Sequence, residues 1–425
     1  MKEIGIIGAG ASGLYAAVNL KNENNQVTIL EKNSEIGKKI LMTGNGRCNI
    51  TNAKFYDDFL ENIPSNQKFI YSAFALHDNY STMTFFEDNG LDLISEENDR
   101  VFPKSQSSRD VVKFFEKLIV DKNIKLITDA NVVSICNDEK FIVKTDKKTY
   151  KFDYLIIATG GLSYPNTGSN GDGYKFAKEF GHKVTKTIPT LVPIFFKNDD
   201  LKDAKALSFD NIGIRIDTDT ASFKDQGPAL LTKNFITGPI VLKLSSICAN
   251  ENIKEISLDF IAKDFSEFDK ELIENLNNNS KKDISNIIKE FIPEALCPII
   301  LKRSNIDITK KGSQITKEER HSIIENIINF KLSFERFGGF NTAVITKGGI
   351  HVDEINPKTM ESKIVPGLYF IGEVLDIDGL TGGFNLQLAF TTGFAAANAI
   401  KERLWHILLL LMVQVDQANR QYQMN

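Results

Sequence analysis

A short apolar run at residues 3–7 stops at Gly8-Ala9-Gly10-Ala11-Ser12-Gly13, and apolar residues then recur at helical spacing at Leu14, Ala17, Val18 and Leu20. A second apolar run, Val27-Thr28-Ile29-Leu30, ends at Glu31, eighteen positions after Gly13. Strand, glycine turn, helix, strand and acidic residue in this order constrain the fold more than anything else in the chain. They describe the opening of a parallel α/β sheet that holds a dinucleotide. Gly8 permits the tight turn, Gly10 lets backbone approach a pyrophosphate, and Gly13 lets the helix pack on the strand. Ala11 and Ser12 open the helix, whose free N–H groups and partial positive charge suit that pyrophosphate. Glu31, followed by Lys32, can accept hydrogen bonds from ribose hydroxyls, and its charge argues against a 2′-phosphate in the same pocket. The pattern leaves NAD and FAD open.

The stretch from Gly37 to Asn52 is rich in glycine, cations and amides and has little apolar periodicity, so it reads as a loop with polar duties. Lys39, Thr43, Gly44, Arg47, Cys48 and Asn49 are its candidate cofactor contacts. Arg47 can neutralise phosphate or negative charge on a reduced flavin, and Asn45 and Asn49 supply donors and acceptors for a ring edge. A solvated turn is the alternative reading. Cys48 fits a small packing residue better than a redox centre.

Residues 109–120 have the pattern of an amphipathic helix, and short strands are expected at 124–127, 132–135, 141–145 and 148–152. A buried strand, Tyr154 to Ile157, then runs through Ala158 into Thr159-Gly160-Gly161. Gly168 to Gly173 precedes another helix but does not repeat the first glycine pattern, so a second NAD(P) domain is not expected. Residues 191–340 differ in character, with strands expected near 191–196, 212–216 and 221–223 and mainly helical segments from Gly238 to Ile328. This stretch reads as an inserted substrate or cap domain. The sheet resumes with Ala343 to Val352 and Gly367 to Glu373, and Gly379 to Asn385 leads into a last helix beginning near Leu386. That helix start, including Gly383, can support a flavin carbonyl or phosphate.

Composition narrows the class. At about 150 residues per domain, 425 residues suggest two or three domains. Hydrophobic residues make up 42% and charged residues 25%, which is ordinary for a soluble globular protein. Lys plus Arg total 51 against 55 Asp plus Glu, a net charge of −4, so a broad phosphate-binding face and a nucleic-acid partner are not expected. The four cysteines are scattered, which signals neither disulfides nor a metal site. No leader-like segment opens the chain, and its longest apolar run, Ile407 to Val413, is far short of the ~20 residues that span a bilayer. A cytoplasmic protein with no membrane association is expected. The sequence carries no signal of oligomeric state.

Four separated blocks, Gly37 to Asn52, Thr159-Gly160-Gly161, Thr346-Lys347-Gly348-Gly349 and Leu368 to Asn385, together resemble the BaiN/YhiN-like flavoproteins. These are NAD(P)/FAD-dependent oxidoreductases related to aminoacetone oxidase. The resemblance spans residues 1 to about 403, and the Gly168–Gly173 block is also similar to fumarate-reductase-type flavoproteins. It implies an α/β fold: a discontinuous Rossmann-like FAD-binding domain of the glutathione-reductase-like type, interrupted by an inserted α+β cap. The corresponding domains are 1–190 and 341–403 for FAD, 191–340 for the cap, and an atypical extension at 404–425. FAD would be bound non-covalently, with Val133 near the adenine, and Gly372, Glu373, Asn385 and Leu386 also among the contacts. Gly372-Glu373 stands where many FAD enzymes have Gly-Asp.

The expected reaction is hydride transfer between a small organic substrate and flavin N5, with oxygen or another acceptor reoxidising the flavin. Aminoacetone-like amines, unsaturated acids and steroids are the candidate substrates. Lys347, His351, Tyr164 and Glu373 are the substrate-side candidates, although a structural role suits His351 better. Two alternatives remain: a reductase using NAD(P)H as a transient electron donor, and a non-catalytic FAD-binding redox sensor or RNA-modification partner.

Overall fold

The computed structural model describes residues 1–202 and 205–424, with side chains described as far as His406. The chain divides into two compact units, one formed by Met1–Ile188 with the residues from Ile345 onward, the other by Pro189–Val344.

The first unit is organised by a five-stranded sheet in the order Leu368–Phe370, Tyr154–Ile157, Lys2–Ile7, Asn25–Leu30, Lys125–Ile127. Every neighbouring pair is parallel. Both faces of such a sheet are covered, which is why Tyr154–Ile157 and Leu368–Phe370 are apolar and buried at every position. The first strand pairs with the second on one side and with Tyr154–Ile157 on the other, so the order reverses at its carboxyl end. A ligand of a doubly wound sheet binds at such a reversal, and the Gly8–Gly13 turn lies there. An antiparallel meander of Val132–Asn137, Phe141–Thr145 and Thr149–Phe152 precedes the fourth strand.

Helix Ser108–Asp121 buries Val111, Val112, Phe114, Phe115, Leu118 and Ile119, the face its spacing predicts. Between residues 56 and 88 stand three helices, Tyr56–Leu60, Gln67–Leu76 and Asn79–Asp88, for which the sequence gives only short, aromatic-interrupted patterns. The last starts where the Asp78 carboxylate accepts from Ser81 N at 2.7 Å.

The second unit is a seven-stranded antiparallel sheet in the order Phe330–Leu332, Ile253–Asp259, Leu207–Thr218, Ser222–Leu231, Phe235–Thr237, Ile194–Phe196, Phe334–Phe337. Two expectations need correction. The strands expected at 212–216 and 221–223 lie at the turn end of a hairpin whose strands run twelve and ten residues; the polar Asp210-Asn211 and Lys224-Asp225-Gln226 interrupt its apolar pattern and hide its length. Ile253–Asp259, within the stretch read as helical, is a strand paired along Leu207–Thr218, because cross-strand burial of Ile256 and Leu258 outweighs local propensity. Helices Phe265–Asn278, Cys297–Arg303 and Lys317–Ile328 contribute Phe268, Leu272, Ile300, Ile323 and Ile327 to the core of this unit.

The last helix begins at Phe384 and runs to Met424, so residues 404–424 continue it. Leu404 is buried and Trp405 exposed, and the side chains from Ile407 onward lie outside the described residues. Among the described residues, no helix is long and apolar enough to cross a membrane.

Candidate cofactor-binding and active site

The glycine turn is shaped by two backbone collisions and one open space. Gly8 has φ +106°, and a Cβ there would lie 2.4 Å from Ala158 O. A Cβ on Gly13 would lie 2.1 Å from Gly8 O. Around Gly10, by contrast, nothing comes within 4 Å of a built Cβ. Gly10 is also the N-cap of the helix beginning at Ala11 and provides no side-chain cap, so the first N–H groups, those of Ala11 and Ser12 included, stay available. Glu31 is 7% exposed and fixed beside them. One of its oxygens accepts from Ala9 N at 2.7 Å, the other from Asn33 N at 2.8 Å. Lys32 is paired with Asp172 at 2.9 Å.

A second cluster joins four separate stretches. The Glu373 carboxylate accepts from Thr346 N at 2.9 Å and Ser163 Oγ at 2.6 Å, and its other oxygen pairs with Lys39 Nζ at 2.5 Å. Lys39 also donates to Ser163 Oγ. Thr346 Oγ1 in turn accepts from Leu162 N and Ser163 N. Gly161 is required here, since a Cβ would lie 2.6 Å from Thr346 Oγ1. Gly160 and Gly372 both have φ +72°, and a Cβ on Gly372 would strike Ser12 Oγ at 2.5 Å. The structure therefore brings Ser12, Lys39, Thr159–Gly161 and Gly372–Glu373 to one end of the sheet.

The polar loop is more sharply turned than its sequence indicates, with Gly44, Asn45, Gly46 and Cys48 all at positive φ. Thr43 Oγ1 donates to Ile40 O at 2.7 Å. Arg47 makes a two-pronged ion pair with Glu96 at 3.0 and 3.1 Å, donates to Gln106 Oε1 at 2.8 Å and sits 4.0 Å over the Phe102 ring. Its charge is already met by Glu96. Cys48 is fully buried, and burial pushes its thiol up to about 12, so it is a packing residue at neutral pH. Of the four cysteines only Cys136 is exposed. Mass spectrometry after brief iodoacetamide treatment of the native protein at pH 8 is expected to show one adduct, at Cys136. Early alkylation at Cys48 would contradict the burial.

The carboxy-terminal block meets the same region. Gly383, at φ +99°, leaves no room for a Cβ, which would lie 2.3 Å from Thr51 O, and Asn52 Nδ2 donates to Gly382 O at 3.0 Å. Asn385 closes its own loop, accepting from Gly379 N at 2.8 Å and donating to Gly379 O at 2.7 Å. Leu386 is half-buried. Gln387, which the sequence reading passed over, is fully buried and joins Thr51 Oγ1, Thr82 Oγ1 and Thr391 Oγ1 at 2.7, 2.8 and 3.0 Å. Distant stretches of the chain are thus tied together at the start of the last helix.

The remaining candidates divide. Tyr164 has φ +51° and lies with its ring 5.9 Å from Lys39 Nζ; burial pushes its hydroxyl above the ordinary phenol range. Lys347 follows Thr346 and acts electrostatically on Asp378. His351 stands apart, half-exposed, with Asp353 3.9 Å away. Val133 is 39% exposed on the meander. Asp378, absent from the sequence-based set, is 0% exposed, and neither carboxylate oxygen has a hydrogen-bond partner of good geometry. Burial raises its pKa, while the nearby Ser65 hydroxyl and the Lys347 ammonium pull the other way. Among the described residues no three His, Cys, Asp or Glu side chains gather to hold a metal ion.

A dinucleotide cofactor fits these residues on structural grounds. Gly10 leaves a space that no protein atom fills, the helix start is uncapped, and the buried Thr159 Oγ1 and Asn49 Oδ1 have no hydrogen-bond partner.

Comparison with known proteins agrees. The family described as HI0933-like protein Rossmann domain matches residues 2–399. A 3-dehydro-bile acid delta(4,6)-reductase of Clostridium scindens is 30% identical, the match covering 95% of this chain and 100% of the relative. A ribosomal RNA dihydrouridine synthase of Haemophilus influenzae is also 30% identical, over 94% of this chain and 98% of the relative. Among solved structures, a 3-ketosteroid delta1-dehydrogenase from Sterolibacterium denitrificans has a TM-score of 0.49 at 11% identity, covering 94% of this chain and 99% of that one. The protein belongs to the HI0933-like Rossmann family and is an oxidoreductase built on an FAD-binding type of fold.

Proposed function

We propose that the protein is an FAD-dependent reductase that adds hydride and a proton across a conjugated carbon–carbon double bond of a small organic substrate, with NAD(P)H as the transient electron donor. The observation that carries the reading is the uncapped helix start beside an unfilled space at Gly10, at the point where the strand order reverses. The direction of reaction is supported by two relatives, one named a delta(4,6)-reductase and the other a dihydrouridine synthase; both names describe a ring that gains hydrogen.

FAD, when bound, supplies two-electron hydride chemistry at its N5. The N–H groups of Ala11 and Ser12 would bind its pyrophosphate, and Glu31 would orient a ribose through its carboxylate oxygens. Glu373, held by Thr346, Ser163 and Lys39, would offer the cofactor a fixed acceptor. The peptide N–H groups at the Gly382–Asn385 helix start would favour a negatively charged or carbonyl group of the cofactor. Tyr164 Oη keeps its proton at neutral pH and is the donor we assign for the substrate carbon.

A second reading, reduction of a base in RNA, is favoured by the name of the H. influenzae relative and opposed by the net charge of −4. The test is spectroscopic. Purified protein should be yellow, bleach anaerobically with NADH or NADPH, and recover its colour on addition of an enone steroid or unsaturated acid. Recovery only with RNA selects the second reading. Bleaching by an amine alone, with peroxide formed on re-aeration, selects an oxidase. A colourless protein that refuses added FAD removes all three.

A further inference from the structure

The inserted unit carries a row of side chains that its fold does not consume. Three adjacent strands place Phe235, Phe195 and Arg336 directly opposite one another, the register pairing Phe195 with Phe235 on one side and with Arg336 on the other. The two rings are 5.6 Å apart at 44°, and the Arg336 guanidinium carbon lies 3.9 Å over the Phe195 ring. Neither phenylalanine is buried, and Arg336 is exposed on the edge strand Phe334–Phe337.

Arg336 differs from the other arginines of its unit. Arg215 is paired with Asp217 at 3.1 Å, Arg303 with Asp200 at 2.5 Å and Arg320 with Asp269 at 2.7 Å. Among the described residues Arg336 has no carboxylate partner, and its hydrogen bond goes to Phe337 O at 3.3 Å. The adjacent Glu335 is turned to Lys197 instead, at 3.1 Å. A guanidinium resting on a ring is pre-organised and weakly hydrated, and its N–H fork matches an oxyanion.

We propose that this row is a binding site for a flat, largely apolar organic molecule bearing one carboxylate, the rings of Phe195 and Phe235 receiving its body and Arg336 its charge. Two strand spacings of about 4.8 Å give the row a reach of about 10 Å, the scale of a fused-ring skeleton. One unpaired cation recognises one anionic group. A polynucleotide calls for several neutralised phosphates, and the other three arginines of the unit are already paired with acids. The inference rests on the proposed reductase reading for the unsaturated body of the ligand and on the geometry for its charge.

The test is calorimetric titration of the FAD-loaded protein with a 3-oxo-4-ene steroid carrying a side-chain carboxylate, and with its methyl ester. The acid should bind about ten- to a hundredfold more tightly than the ester. Arg336→Gln should abolish that preference while leaving the ester's affinity unchanged, Arg336→Lys should restore part of it, and Phe195→Leu should weaken both ligands. Equal binding of acid and ester to the unaltered protein overturns the proposal. So does an equal loss of both in Arg336→Gln, or Arg336-dependent binding of a short single-stranded RNA in place of the acid. Failure here is separable from failure of the reductase reading. A protein bleached by NADPH and recoloured by the methyl ester, but blind to the carboxylate, keeps its activity and loses this site.

Discussion

Gly10→Ala is expected to leave the folded protein within about 0.5 kcal/mol of its original stability while lowering FAD affinity by about tenfold or more. The backbone at Gly10, φ −84° and ψ −174°, is open to any residue, and no protein atom meets the added methyl. Only a ligand approaching the turn would feel it. Gly13→Ala should do the opposite. Its methyl would sit 2.1 Å from Gly8 O, a backbone atom that cannot rotate away, so the helix must lift from the strand at a cost of about 3 kcal/mol. Thermal melts without cofactor, paired with fluorescence titration of FAD, distinguish the two. If Gly10→Ala binds FAD like the unaltered protein, the pyrophosphate does not lie at this turn.

A comparable effect is expected on acidification, from a residue behind the site. His77 is 5% exposed, its ring stacks on Phe394 at 4.1 Å, and its Nε2 lies 2.7 Å from Tyr15 Oη. Burial pulls its pKa from 6.5 down to about 4, against the weaker pull of Asp78. As pH falls through 6.5 the unfolded chain therefore takes up a proton that the folded chain refuses until near pH 4. The stability is whole above pH 6.5 and is lost downward through that window. By pH 5 the loss from this group amounts to about 2 kcal/mol. Urea midpoints at pH 7 and pH 5 should diverge by that amount more in the unaltered protein than in His77→Gln, which can still accept from Tyr15. Equal acid sensitivity in the two would place the proton elsewhere.

The parallel sheet was legible because Lys2–Ile7, Tyr154–Ile157 and Leu368–Phe370 are largely buried and so read as short apolar runs closed within three residues by a glycine, whereas the edge strand Lys125–Ile127, with no buried residue, shows only two apolar positions. The glycines were legible for the same reason: Gly8, Gly13 and Gly383 each meet backbone that admits no side chain. The environment of Arg47 was not legible, since Glu96 lies 49 residues further on and nothing local links them. Nor was Asp378, which sits between two glycine blocks in a segment where burial, not pattern, makes it unusual. Ile253–Asp259 shows no clean alternation, with Ile256, Ser257 and Leu258 buried in succession and Lys254 and Glu255 before them, so its seven residues do not stand out from their polar surroundings.

The sheet order also bears on how the chain is made. The fifth strand, Leu368–Phe370, comes after the whole inserted unit, which has an apolar core of its own drawn from residues 194–332. During synthesis that later segment can collapse while the amino-terminal strands still lack their outer neighbour. Their unfinished edge is then a transient liability on the ribosome, and the polypeptide has to emerge past residue 370 before the hydrogen-bonded ladder is sealed.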